Sequence, residues 1–178
     1  MRATKIDSMG RSLRTQRGIV AFEAIVWLPI LLIVLFSIVE MGLMLVGVMH
    51  VSMASRIAAR EVSITSGLAS ASSSVITDDL RETVDLYFEN AGYGPSASLG
   101  LRLQHTVGAG GSFASGECEA ESDPPLPEIM TGAPRAVRVV VCLPAEVVSP
   151  NCLAQFGFDL SNCRIHGVTT FPYLGESP

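Results

Sequence analysis

Hydrophobic residues crowd one stretch of the chain. Between Ile19 and Val51, ionisable side chains occur only at Glu23, Glu40 and His50, and Ala24 to Val39 carries no charge. A bilayer-crossing helix needs roughly 20 mostly apolar residues, so this run predicts a membrane span. The next residues, VSMASRIAAREVS, are rich in alanine and other helix-tolerant types. They extend the predicted helix to about Thr65. At 1.5 Å per residue a helix over 19–65 is ~70 Å long, so its upper part must stand out of the bilayer.

The pattern then changes twice. SGLASASSSV is small and polar and reads as a loop or hinge. TDDLRETVDLYFENAGYG reads as a second helix. Thr77 is a candidate N-cap, and Asp78 and Asp79 suit the positive end of the helix dipole. Leu80, Val84, Tyr87 and Phe88 form one apolar face, and Gly92 or Gly94 can end the helix. Beyond it the period becomes two. LGLRLQHTV sets Leu99, Leu101 and Leu103 against Arg102 and Gln104, and GAGGS reads as a turn. Residues 114–135 read as an acidic, proline-rich loop. AVRVVVCLP is the strongest strand, and RIHGVTTFPY a weaker final one. The fold class is α+β: a long N-terminal transmembrane helix continuing into a small domain with a second helix and a short antiparallel sheet. The expected organisation is a leader at 1–18, the long helix at 19–65, and an extracytoplasmic domain at 66–178.

Charge orients this arrangement. Residues 1–18 hold five bases and one acid, while the rest of the 178-residue chain holds seven bases and sixteen acids. Lys and Arg stay on the cytoplasmic side, which leaves the acidic body outside. An acidic body also argues against nucleic acid as a partner. The basic stretch reads as a processed leader or a cytoplasmic tail. A secretory signal fits poorly, because the apolar run is too long and no A-x-A site follows it promptly. All four cysteines (Cys118, Cys142, Cys152 and Cys163) lie in the distal half, where an oxidising compartment permits disulfides. Three pairings are open. Proximity favours Cys152–Cys163, which leaves Cys118–Cys142.

One string carries chemistry: Arg17-Gly18-Ile19-Val20-Ala21-Phe22-Glu23. A carboxylate near the start of a spanning helix is costly unless something offsets it. A cut after Gly18 would give Ile19 a free amino group four residues before Glu23, on the same helical face. That cation could pair with Glu23 of its own chain or of a neighbour. Pro29 lacks an N–H and clashes with the carbonyl at Ile25, so a kink or loosening is expected there. Glu40 has two readings: contact with another helix in an assembly, or a place in water at the outer interface.

This segment resembles the prepilin-peptidase site of type IV pilins. With Pro29, Ile38-Val39-Glu40-Met41-Gly42 and Ala58-Ala59-Arg60-Glu61, it resembles the N-terminal signature of TadE-like pseudopilins of the tight-adherence (Flp-type) pilus system. The resemblance covers residues ~15–65 and implies several things. A membrane aspartyl peptidase cuts between Gly18 and Ile19. Glu23 brings subunits into register. The partners are that prepilin peptidase, other pilin-like subunits, the pilus assembly machinery and the lipid of a bacterial inner membrane. The role is support of pilus assembly for adhesion or secretion. The alternative from another class is an uncleaved single-pass protein whose distal domain binds a ligand or partner.

Other signals are weaker. Gly108, Gly110 and Gly111 do not complete a phosphate-binding pattern. Glu117, Glu119, Glu121 and Asp123 cluster without EF-hand spacing. His50 is expected at the membrane edge, and His105 and His166 on strands. Neither histidines nor cysteines show zinc spacing. The sequence thus predicts no metal site, no cofactor and no catalytic group.

Overall fold

A computed structural model describes residues 7–68, 73–94, 99–107, 111–115, 118 and 135–175, with side chains from Ala21 onward except at 73–77, 112 and 114–115. Helix α1 spans Asp7–Ile64 and α2 spans Ser73–Asn90. Strands β1 (Gly100–His105), β2 (Gly111–Ser115), β3 (Ala136–Pro144) and β4 (Arg164–Pro172) follow. A short helix α3 (Ala145–Val148) and a 3-10 helix at Cys152–Phe156 separate β3 from β4. The sheet is wholly antiparallel, in the order β2-β1-β3-β4. The α+β architecture read from the sequence is the one observed.

The upper part of α1 packs on the sheet. Val51, Ala54, Ala58, Ala59 and Val62 are buried and recur at helical spacing, so they form one stripe. Small residues let strand backbone approach closely. A Cβ added to Gly167 of β4 would lie 2.6 Å from the Val51 carbonyl oxygen. One added to Gly47 would lie 2.6 Å from Val148. Polar groups close the seam. The Ser55 and Thr169 hydroxyls are 2.7 Å apart, Leu174 N–H donates to the Ser63 carbonyl, and the Tyr173 hydroxyl donates to the Thr65 carbonyl.

Helix α2 covers the same core with Leu80, Val84 and Phe88, three of the four residues of the predicted face. Tyr87, the fourth, packs partly buried against it. The helix begins at Ser73, four residues before Thr77, whose side chain lies outside the described ones. Gly92 ends it at φ +88. Its N–H bonds the Glu89 carbonyl while Tyr93 N–H reaches Phe88. This is a Schellman cap, and the Tyr93 and Phe88 rings in contact supply its usual apolar pairing.

Strand β3 is buried along its whole length. Val137, Val139, Val141 and Leu143 face the helices, whereas Val140 and Cys142 cluster with Cys118 on the other side. Besides the start of α2, which takes in the last residues of the expected SGLASASSSV loop, two boundaries differ from the sequence reading. Helix α1 starts at Asp7, twelve residues before Ile19. The RSLRTQR stretch holds good helix formers, and an existing helix propagates more readily than it nucleates. Strand β2 occupies part of the expected GAGGS turn and the start of the expected loop. GSFAS has only Phe113 as a large apolar residue, so its strand is specified by backbone pairing with β1. The acidic cluster Glu117 to Asp123, apart from Cys118, lies outside the described residues.

Candidate functional site

The lower part of α1 exposes apolar side chains on every side. Phe22, Ile25, Trp27, Leu28, Leu31, Val34, Leu35 and Ile38 are all exposed. A helix that is hydrophobic all round needs an apolar surrounding. Among the described residues, α1 is the one helix long and apolar enough to cross a membrane. The Ser37 hydroxyl is satisfied within the helix, donating to the Ile33 carbonyl at 2.8 Å. The helix runs unbroken through Pro29, so any loosening there stops short of ending it.

Gly18 and Ile19 sit within the helical backbone, and Glu23 is exposed between apolar neighbours. Glu40 is not in water. It is only 3% exposed, and its partner is in its own chain: Oε1 accepts from the Leu153 backbone N–H at 3.3 Å. Oε2 is buried with no hydrogen-bond partner among the described residues. The water-exposed reading is therefore overturned, because the 3-10 helix covers this face of α1. A pairing 113 residues apart in sequence leaves no local signal. The apolar character of LAQFGF was the available hint that residues 153–158 seek a cover.

His50 also has an internal role. Its Nδ1 lies 3.1 Å from the Tyr87 hydroxyl and its ring meets Tyr93 edge-on, tying α1 to α2. His105 and His166 lie on β1 and β4 as expected. His105 is buried with no hydrogen-bond partner at either ring nitrogen among the described residues. Burial holds its pKa below the ordinary histidine value, against a smaller pull from the Val107 backbone.

Cys118 and Cys142 form a disulfide with Cα atoms 5.6 Å apart. The other expected pair is absent: Cys152 and Cys163 are free and exposed. Their short separation in sequence does not bring them together because the intervening loop has its own bonds. Asn151 Nδ2 donates to Asp159, and the Cys163 carbonyl accepts from Ala145 N–H. The metal-binding atoms of Cys118, Cys142 and His166 lie within 4.8 Å of one another, but the disulfide removes both sulfurs from metal chemistry. His166 Nδ1 is 3.3 Å from the Cys142 sulfur.

A helix apolar on all sides, the one such helix among the described residues, prolonged into an α+β domain, defines a membrane-anchored protein. Residues 18–60 match the family model described as TadE-like protein, so this helical segment is TadE-like. Comparison with curated proteins and with solved structures gave no match.

Proposed function

We propose that this protein is a pseudopilin subunit, processed by a prepilin peptidase between Gly18 and Ile19, that supports assembly of a Tad-type pilus. It is a structural component, not an enzyme. The carrying observation is the Gly18–Glu23 spacing at the head of an apolar helix, behind a basic stretch and within the TadE-like segment. Peptide cleavage needs the scissile backbone released from its helix. Gly18 favours release there, because glycine costs a helix roughly 1 kcal/mol relative to alanine. After the cut, the Ile19 ammonium and the Glu23 carboxylate offset each other within a subunit or between neighbours. The leader's bases hold the N-terminus cytoplasmic and leave the domain outside the inner membrane.

One observation favours a second reading. Helix α1 is continuous across Gly18–Ile19, as suits an uncleaved single-pass anchor whose distal domain binds a partner. Intact mass and N-terminal sequence of the protein from host membranes decide between them. Processing predicts a chain starting at Ile19. A chain that keeps Arg2 and the leader would overturn it in favour of the uncleaved anchor.

A further inference from the structure

The contacts between α1 and the domain form a ladder, and its rungs give each part of the domain a height above the membrane. From the top down, Thr65 meets Tyr173, Ser55 meets Thr169, Val51 meets Gly167, and Gly47 meets Val148 and Ile165. The lowest rung is Glu40 with Leu153. The loop 149–163 is therefore the part of the described domain nearest the bilayer.

The helix sets that height in absolute terms. Ala21 to Glu40 rises ~29 Å at 1.5 Å per residue, the thickness of a hydrocarbon core. Exposed apolar residues continue on α1 above Glu40, densest from Met41 to Met49 and then singly at Met53, Ile57 and Ile64. The outer headgroup layer adds about 5–8 Å, three to five residues, above Glu40. The rungs at Glu40 and Gly47 thus bracket the outer headgroup layer, and loop 149–163 hangs between them.

The loop's composition fits that layer. Its sequence, SPNCLAQFGFDLSNC, has one charged side chain, Asp159, and no base. Asp159 is exposed, its carboxylate held against the loop by bonds accepted from Asn151 Nδ2 and Ser161 N–H at 2.9 Å each. Phe156 and Phe158 point outward, 50% and 65% exposed. Two exposed aromatics on a nearly uncharged loop, continuous with an apolar helix at bilayer height, need an apolar cover. Aromatic rings are favoured where lipid meets water. We propose that loop 149–163 is a second membrane contact, which inserts Phe156 and Phe158 into the outer leaflet at the level of the headgroups. The occupant is a zwitterionic lipid surface, since a loop without bases offers nothing to recognise an anionic headgroup. The Glu40–Leu153 hydrogen bond ties the loop to α1 at this height. Two points of contact would fix the domain's tilt and rotation on the membrane, where one helix leaves it free to swivel.

This inference rests on α1 spanning the bilayer, and the test separates the two. The full chain is reconstituted in vesicles of phosphatidylcholine and phosphatidylethanolamine carrying nitroxide lipids. Trp27 is the chain's one tryptophan, so it reports the anchor, and quenching by a nitroxide deep in the acyl chains shows that α1 spans. The doubly substituted chain Trp27→Phe, Phe158→Trp reports the loop. The expected result is emission at shorter wavelength than in free solution, with stronger quenching by a shallow nitroxide than by a deep one. Quenching by aqueous iodide with none by lipid nitroxide would overturn the proposal while leaving the anchor intact. So would shielding that appears only as protein density rises, because a second copy would then be the cover. Asn162→Trp in the Trp27→Phe background controls for mere proximity, and equal shallow quenching there would also overturn insertion of Phe158.

Discussion

The two halves of α1 answer to different solvents. From Ala21 to Val39 the apolar side chains point outward in all directions, and they are large: Phe22, Trp27, Leu31, Phe36. From Val51 to Ser63 the inward stripe is small, with Ala54, Ser55, Ala58 and Ala59 all buried, and Arg56, Arg60 and Glu61 face out. Lipid rewards hydrophobic surface without asking for a particular shape, so the lower half can be bulky everywhere. A sheet at close range asks for one flat face, so the upper half needs small residues at helical spacing. Side-chain size, periodicity and the charges on the outer face together tell anchor from core.

The sharpest way to break this comparison is to place one charge in each half. Ala58 is fully buried against the sheet, so Ala58→Asp buries a carboxylate that has no partner. The expected loss is about 3–5 kcal/mol, the scale of an uncompensated buried charge, which is enough to unfold a marginal domain. The protein should stay in the membrane fraction while its domain becomes protease-sensitive. Val34→Asp should do the reverse, weakening insertion by about 3 kcal/mol near the bilayer centre and sparing the domain's resistance. Release of the Ala58→Asp protein by carbonate extraction would show that the two halves are not independent.

Next in size is the disulfide, which belongs to the domain alone. Cys118 and Cys142 are 24 residues apart, and closing a loop of that length is worth about 3 kcal/mol on the chain-entropy model. Cys142→Ser should lower domain stability by that amount in urea and leave anchoring unchanged. Cys152→Ser should do neither, since Cys152 is a free, exposed thiol. A midpoint for Cys152→Ser as low as that of Cys142→Ser would mean that Cys152 is bonded after all.

Gly167→Ala tests the seam between helix and sheet. The new methyl would meet the Val51 carbonyl, which is backbone and cannot swing aside, so about 1–3 kcal/mol should be lost through overpacking. At Gly42 an added Cβ meets nothing within 4 Å, and Gly42→Ala should be neutral or slightly stabilising. Equal effects at the two glycines, read from urea midpoints, would mean that the seam adapts more than its contacts suggest.

What could be read in advance follows the same division. The lower helix, the Leu80-Val84-Phe88 face, the Gly92 cap and strand β3 all announce themselves through local pattern, because each is built from strong periodicity or a φ that favours glycine. The features that escaped are non-local. GSFAS becomes a strand through its partner β1, not through its own residues. Glu40 gains its cover from Leu153, far along the chain. Proximity in sequence suggested Cys152–Cys163, but the loop's own hydrogen bonds set where those thiols point. The Gly18–Glu23 element was legible as spacing, but the processing and pairing proposed for it involve groups outside the chain.

The smallest effect separates the halves by pH. His105 is buried in the domain, its pKa held below the ordinary histidine value by burial. Near and below pH 6.5 the unfolded chain takes up a proton that the folded chain does not. Stability therefore falls as pH drops from the ordinary histidine value towards the lowered one, with a slope of at most about 1.4 kcal/mol per pH unit from this group. Asp85 works the other way. Burial raises its pKa, with Arg81 opposing, so the folded state there binds the proton more readily and gains stability as pH falls. The difference between wild type and His105→Leu cancels Asp85 and isolates the histidine. Urea midpoints from pH 7.5 to 5 should fall more steeply in the wild type than in His105→Leu, while membrane retention stays constant in both. Parallel slopes would mean that His105 gains a proton in the folded domain as easily as in the unfolded chain, and that the core around Phe113 is open to water.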